Sequence, residues 1–204
     1  MTRQYFHPSD SLVDRDADRV RLADVGIGCL LRGEGLRVGS PQALEGTLGY
    51  RSPEQTGRTN RCIDYRTGFY SLGVTLYELL TGALPFRAED AAEMLHAHVA
   101  RAPVPLAEAR PDLPGPLSMV VMKMLAKNPE ERYQSARGLA HDLRFCLGLL
   151  QDNGDPAGAD GFTPGSRDGE ARFSGPGTPS CRRDRRRCPT PPLTRKQGAS
   201  APHR

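Results

Sequence analysis

The chain has 204 residues, 37% of them apolar, which is enough for one ordinary domain with a tail. Its formal net charge is +4, but ten of the 28 basic residues and only six of the 24 acidic ones fall in residues 151–204. The whole surplus therefore belongs to that segment, and no basic face on the domain points to nucleic acid.

No run of about 18 apolar residues is present to span a bilayer. The opening "MTRQYFHPSD" has no apolar segment of a secretory signal, so a cytoplasmic location is expected. The five cysteines are scattered and form no CxxC pair, and neither a disulfide framework nor a zinc site is expected.

Taken in chain order, "SLV" (11–13) and "RVRL" (19–22) flank a polar turn and predict a short hairpin. An irregular section runs to about residue 65. "FYSLGVTLYELL" (69–80) is apolar on every side and predicts a buried helix, stopped at Thr81-Gly82 with Pro85 beyond. Tyr70, Tyr77 and the methionines read as core.

"AEDAAEMLHAHVAR" (88–101) predicts a surface helix. His96 and His98 stand two apart on it, face different sides and do not make a metal pair. Leu117, Val120, Val121, Met124 and Leu125 repeat as one face of an amphipathic helix that Asn128-Pro129 ends. Ser135 is placed to cap a last helix carrying Leu139, Leu143 and Leu147 inward. Residues 151–204 are rich in Gly, Pro, Ser and Arg, bury too little apolar surface to offset their ordering entropy, and are expected to be disordered. The arginines from Arg182 to Arg187 read as part of that solvated tail.

"GTLGYRSPE" (46–54), "FYSLGVTLYELLTGALPF" (69–86) and "KNPEERYQSA" (127–136) occur in one order. Together they resemble the C-terminal lobe of the eukaryotic-like bacterial Ser/Thr protein kinases. "SPEQTGRTNRCIDYRT" (52–67) is closer still to the kinase-like module of multidomain sensor kinases, where such a module precedes an ATPase domain and a histidine kinase. The resemblance runs from about residue 7 to 150. It implies a mainly α fold: an incomplete kinase domain over 1–150, holding the C-lobe from the end of the catalytic loop and a short N-terminal hairpin. Residues 151–204 are its Gly/Pro/Arg-rich disordered tail.

The resemblance also assigns site residues. In "RVRLADVGIG" Asp24, Val25 and Gly26 stand in the D-F-G places, where the Asp holds Mg²⁺ against ATP phosphates through the hard oxygen ligand that ion prefers. A plain turn carboxylate is the simpler reading of Asp24. "HPSDSLVD" (7–14) matches the end of the catalytic loop, with His7 in place of its Lys and Asp10 in place of the second Mg²⁺-binding Asn. The H-R-D triplet falls on Arg3, Gln4 and Tyr5, and no H-R-D occurs anywhere in the sequence. A tyrosine, with pKa about 10, does not accept a substrate hydroxyl proton as a carboxylate does. Gly68 replaces the Asp that opens the buried helix and supports the catalytic loop in the family.

No Gly-rich loop, strand Lys or partner Glu precedes residue 24, so Mg-ATP, the family's cofactor, is expected to bind weakly or not at all. Thr47, Ser52, Pro53 and Glu54 match the end of the activation segment. With its catalytic partners missing, Thr47 reads as a turn-stabilising hydroxyl. Ser40 and Thr47 lie where phosphorylation orders such a segment, though an unmodified loop is the simpler reading.

Glu54 and Arg132 match a buried ion pair tying the Ser-Pro-Glu turn to the late helices; the alternative is two separate surface charges. The function implied is ATP-dependent phosphoryl transfer to protein Ser/Thr, with this chain truncated and inactive alone. The alternatives are a pseudokinase-like module that binds a protein partner through the lobe, and a decayed remnant of a larger sensor kinase. "FTPGSRDGEARF" (162–173) resembles the linker toward that family's ATPase domain.

Overall fold

The structure, a computed structural model, describes residues 48–151 and 161–169, and of the preceding chain only four short strands. Strands β2 (Ser11–Asp14) and β3 (Arg19–Leu22) pair antiparallel, Ser11 opposite Leu22 and Asp14 opposite Arg19, which is the expected hairpin. β1 (Thr2–Arg3) and β4 (Gly28–Cys29) form a second antiparallel pair.

Among the described residues all other regular structure is helical. α1 (Arg66–Thr81) is the central helix. Tyr70 and Val74 are fully buried and Tyr77 nearly so, while Gly82, in the left-handed region at φ 76°, closes the last turn with its N–H on the Glu78 carbonyl at 2.7 Å. One side is open, however: Leu79 is 64% exposed, so an all-round apolar sequence did not mean all-round cover. α2 (Ala91–Ala100) begins where the Asp90 carboxylate accepts the Glu93 N–H at 2.7 Å. His96 on it is exposed and His98 fully buried, so the two do point to different sides.

After the short α3 (Leu106–Ala109), α4 (Gly115–Met124) presents Leu117, Val120, Val121 and Met124 to the core, and Leu125 follows them in. Met119 does not join them. It sits two residues past Leu117, on the opposite face, and is 44% exposed, which corrects the reading of every methionine as core. The helix also stops at Met124 rather than at Asn128-Pro129. The carbonyls of Ala126 and Lys127 are turned instead toward Arg132, which donates to both.

α5 (Ala136–Gln151) is capped by Ser135, whose Oγ accepts the Gly138 N–H at 3.0 Å. Leu139 is buried, but Leu147 is 52% exposed, and Asp142 and Cys146 take the inner positions. A row of four-residue steps turns by about 40° at each step relative to the helix face, so the Leu139–Leu143–Leu147 row drifts out toward solvent.

Residues 161–169 lie against the start of α5, with Phe162 stacked on Phe145 and Asp168 buried. This stretch departs from the expectation of a tail without structure from residue 151 onward. Cys146 is a buried free thiol that burial, then Asp142, pushes up to about 11. Among the described residues no helix is long and apolar enough to cross a membrane.

Candidate functional site around the Ser-Pro-Glu turn

Residues 48–57 form two short 3-10 turns, Leu48–Tyr50 and Pro53–Thr56, joined by Arg51 and Ser52. Proline at the first position of the second turn needs no N–H partner and brings its φ preset. The Gln55 side-chain oxygen accepts from both the N–H and the Oγ of Ser52, at 3.0 and 3.1 Å. Thr56 Oγ1 donates to the Pro53 carbonyl at 2.7 Å. These bonds satisfy the turn internally, and Ser52, Pro53, Glu54 and Gln55 are all buried.

The structure brings Glu54 and Arg132 together across 78 residues of sequence. The pair is bidentate, Nη1 on Oε1 at 2.8 Å and Nη2 on Oε2 at 2.9 Å, and both side chains are essentially out of solvent. A buried charge pair is tolerable only when its remaining donors and lone pairs are also met. Here they are: Arg132 Nε donates to the Ala126 carbonyl, Nη1 also to that of Arg66, and Nη2 also to that of Lys127. Thr67 Oγ1 donates to Glu54 Oε1 at 2.8 Å. The guanidinium lies over the Tyr70 ring, 4.9 Å from its centroid. Burial alone would raise the Glu54 carboxyl, but the hydrogen bonds and charge of Arg132 outweigh it and hold the group below its ordinary value.

Two further ties fix the segment to α1. Ser71 Oγ donates to the Tyr50 carbonyl at 2.8 Å, and Tyr50 OH to Glu78 Oε2 at 2.6 Å. On the outer side Arg61 bonds Glu130 and Asn128, while Arg66 bonds Asp64 and, at 3.0 Å, Gln134 Oε1. Gln134 in turn donates to the carbonyls of Pro129 and Arg132, stapling the turn that carries Arg132.

Behind this frame His98 accepts or donates at Nδ1 with Tyr70 OH, 2.9 Å away, and meets the Phe86 ring edge-on. Burial first, and the charge of Lys127 second, lower its pKa from 6.5 to about 4, so it is a neutral core histidine.

The other residues singled out from sequence, Tyr5, His7, Asp10, Asp24 and Thr47, lie outside the described residues, as does Ser40. Among the described residues no three His, Cys, Asp or Glu side chains group as a metal site. Gly68, buried near the start of α1, brings no carboxylate to that end of the helix. What is described is a hydrogen-bonded frame, and its chemistry is that of a buried ion pair holding a turn in place. Thr67, Gln55 and Gln134 were missed in the sequence, because a hydroxyl or amide serving a distant charge leaves no periodic trace.

Residues 7–143 match the family model described as "Protein kinase domain". The chain is 48% identical over 99 residues to "Hybrid signal transduction histidine kinase G" of Dictyostelium discoideum, covering 48% of this chain and 3% of that protein. It is 39% identical over 137 residues to "Serine/threonine-protein kinase PknB" of Mycolicibacterium smegmatis, covering 67% of this chain and 21% of the relative. With "Histidine protein kinase 1" of Candida albicans it shares 38% over 117 residues, 55% of this chain and 5% of the relative. It thus spans between 3% and 21% of the length of these curated relatives.

Proposed function

The chain belongs to the protein kinase domain family, and on that premise we propose that it forms the C-terminal lobe of a Ser/Thr protein kinase and, as this polypeptide alone, does not transfer phosphate. The observation that carries the first half is the fully satisfied Glu54–Arg132 pair, which locks the Ser-Pro-Glu turn onto the helical lobe. The likeness to the mycobacterial Ser/Thr kinase over 137 residues supports the same reading. Support for the second half is chemical. The register puts Tyr5 at the base position, His7 at the Lys position and Gly68 at the supporting Asp, and phosphoryl transfer depends almost wholly on such positioning and charge.

A cytoplasmic setting, where Mg-ATP is available, belongs to the same proposal. Its test is to incubate the purified chain with Mg-ATP and a Ser/Thr-rich substrate protein and measure phosphate incorporation. None is expected above a no-enzyme control, and ATP-dependent incorporation would overturn the claim of inactivity.

An intact frame beside substituted catalytic positions favours one second reading, a pseudokinase-like module that binds a protein without chemistry. It requires either a Tm shift with Mg-ATP or a saturable protein partner in a pull-down. Lack of both overturns that reading.

A further inference from the structure

We propose that residues 161–169 are a docking strap, that the start of α5 is built to receive it, and that it fixes where the following chain leaves the lobe while bracing the turn that carries Arg132. This stands independently of whether the chain transfers phosphate.

The fit is reciprocal. Asp168 is buried; its Oδ1 accepts from Ser135 Oγ at 2.6 Å and its Oδ2 from the Gln134 N–H. Asp142, buried on α5, accepts at Oδ2 from Tyr133 OH and from the strap's Gly165 N–H, both at 2.7 Å. Arg167 Nη1 meets His141 Nε2 at 3.0 Å, and Phe162 stacks on Phe145 at 5.0 Å with the rings nearly parallel. The strap keeps its own shape through the Ser166 N–H on the Thr163 carbonyl and the Asp168 N–H on the Gly165 carbonyl.

Two glycines, one on each side, show that the surfaces were shaped for each other. Gly138 lies in the first turn of α5, where glycine is a poorer helix former than alanine. A Cβ there would come within 2.4 Å of Asp168 Oδ1 and 3.1 Å of its Cα, so only glycine admits the strap backbone. Gly165, at φ +76°, holds the left-handed backbone that turns its N–H onto Asp142, a conformation that favours glycine. A helix with nothing to receive has no use for the first of these.

The bracing follows from what Asp168 holds. Gln134, whose N–H it accepts, is the residue whose side chain staples the 129–132 turn and meets Arg66. The strap thus grips the base of the turn from which Arg132 reaches Glu54.

Hydrogen exchange on the full chain, read residue by residue by NMR, tests the proposal with Gly138→Ala and Asp168→Ala. Each variant is expected to speed exchange at the Gly165 and Arg132 amides by about tenfold or more, the size of losing a buried hydrogen bond to a charge, and to leave Val74 in α1 at the parent rate. Exchange at Gly165 in the parent as fast as in an unstructured peptide would overturn it, as would parent-like exchange at either amide in Asp168→Ala. Gly138→Ala adds a test of sign, because on an uncovered helix alanine would slow exchange rather than speed it. Should Gly138→Ala also speed exchange at Val74, the lobe itself has loosened, and Asp168→Ala alone, whose side chain lies outside the lobe helices, decides.

Discussion

At the scale of single residues the Glu54–Arg132 pair dominates, because a buried charge that loses its partner keeps its desolvation cost. Glu54→Gln or Arg132→Met alone should therefore cost about 3–5 kcal/mol in urea unfolding, whereas Glu54→Leu with Arg132→Met should cost clearly less than the sum. The pair also has a pH signature. The Glu54 carboxyl is held below its ordinary value of 4.5, so its stabilisation is complete above that value and is lost as pH falls through the lower, folded one.

His98 acts in the same direction in a higher window. Its folded pKa, about 4, lies below the ordinary 6.5, so the unfolded chain takes up a proton first and stability falls between those two values. We expect His98→Gln to flatten the pH dependence of the unfolding free energy between pH 6.5 and 4. Glu54→Gln should flatten it only below 4.5. A parent curve level over both windows would contradict both assignments. Glu54 and Arg132 were legible as a pair because each sits in a motif; Thr67, which completes the carboxylate's bonds, sits in none.

At the scale of elements, α1 approaches α4 closely at Gly73. A Cβ at Gly73 would lie 2.8 Å from the Met124 Cβ and 3.4 Å from Leu125 Cδ2. Gly73→Ala should thus destabilise by about 1–3 kcal/mol through overpacking, although alanine is the better helix former, and thermal melting reads the sign directly. Met124→Ala should not rescue it, because the clashing atom is the Cβ that alanine retains.

The inner face of α4 was readable from period alone, since burial on one side imposes that period, whereas the short α3 (Leu106–Ala109) carries no such signal. The helix ends were not readable either. α4 stops early because Arg132 draws the carbonyls of Ala126 and Lys127, and the outward drift of Leu147 follows from helix geometry that a simple four-residue row ignores. Leu79 failed for a different reason: apolar residues predict what can be covered, and only a neighbouring element supplies the cover.

At the scale of the whole molecule the question is where the folded unit ends. Composition placed the boundary at residue 151, because beyond it too few aliphatic residues remain to build a core. The strap shows what that criterion overlooks. Residues 161–169 dock mainly through carboxylates, backbone N–H groups and two glycines, with a single aromatic stack, and such a contact is nearly invisible to hydropathy. The kinase motif "KNPEERYQSA" supplies Gln134 and Ser135 to the strap's seat, and "FTPGSRDGEARF" resembles a linker, but neither likeness says that the two meet. We therefore propose Gly169 as the functional end of the lobe, because residues 170–204, with their Arg and Pro runs, offer little apolar surface to bury. Two shortened chains separate this from the compositional boundary. A chain ending at Gly169 should melt at the parent temperature. One ending at Gln151 leaves Asp142 and the Gln134 N–H short of partners, a loss of about 1–3 kcal/mol, and should melt several degrees lower. Equal melting temperatures for the two would return the boundary to residue 151. A Gly169 chain that melts as low as the shorter one would mean that the terminal 35 residues hold the strap down, and the lobe would then extend into sequence whose composition alone argues against it.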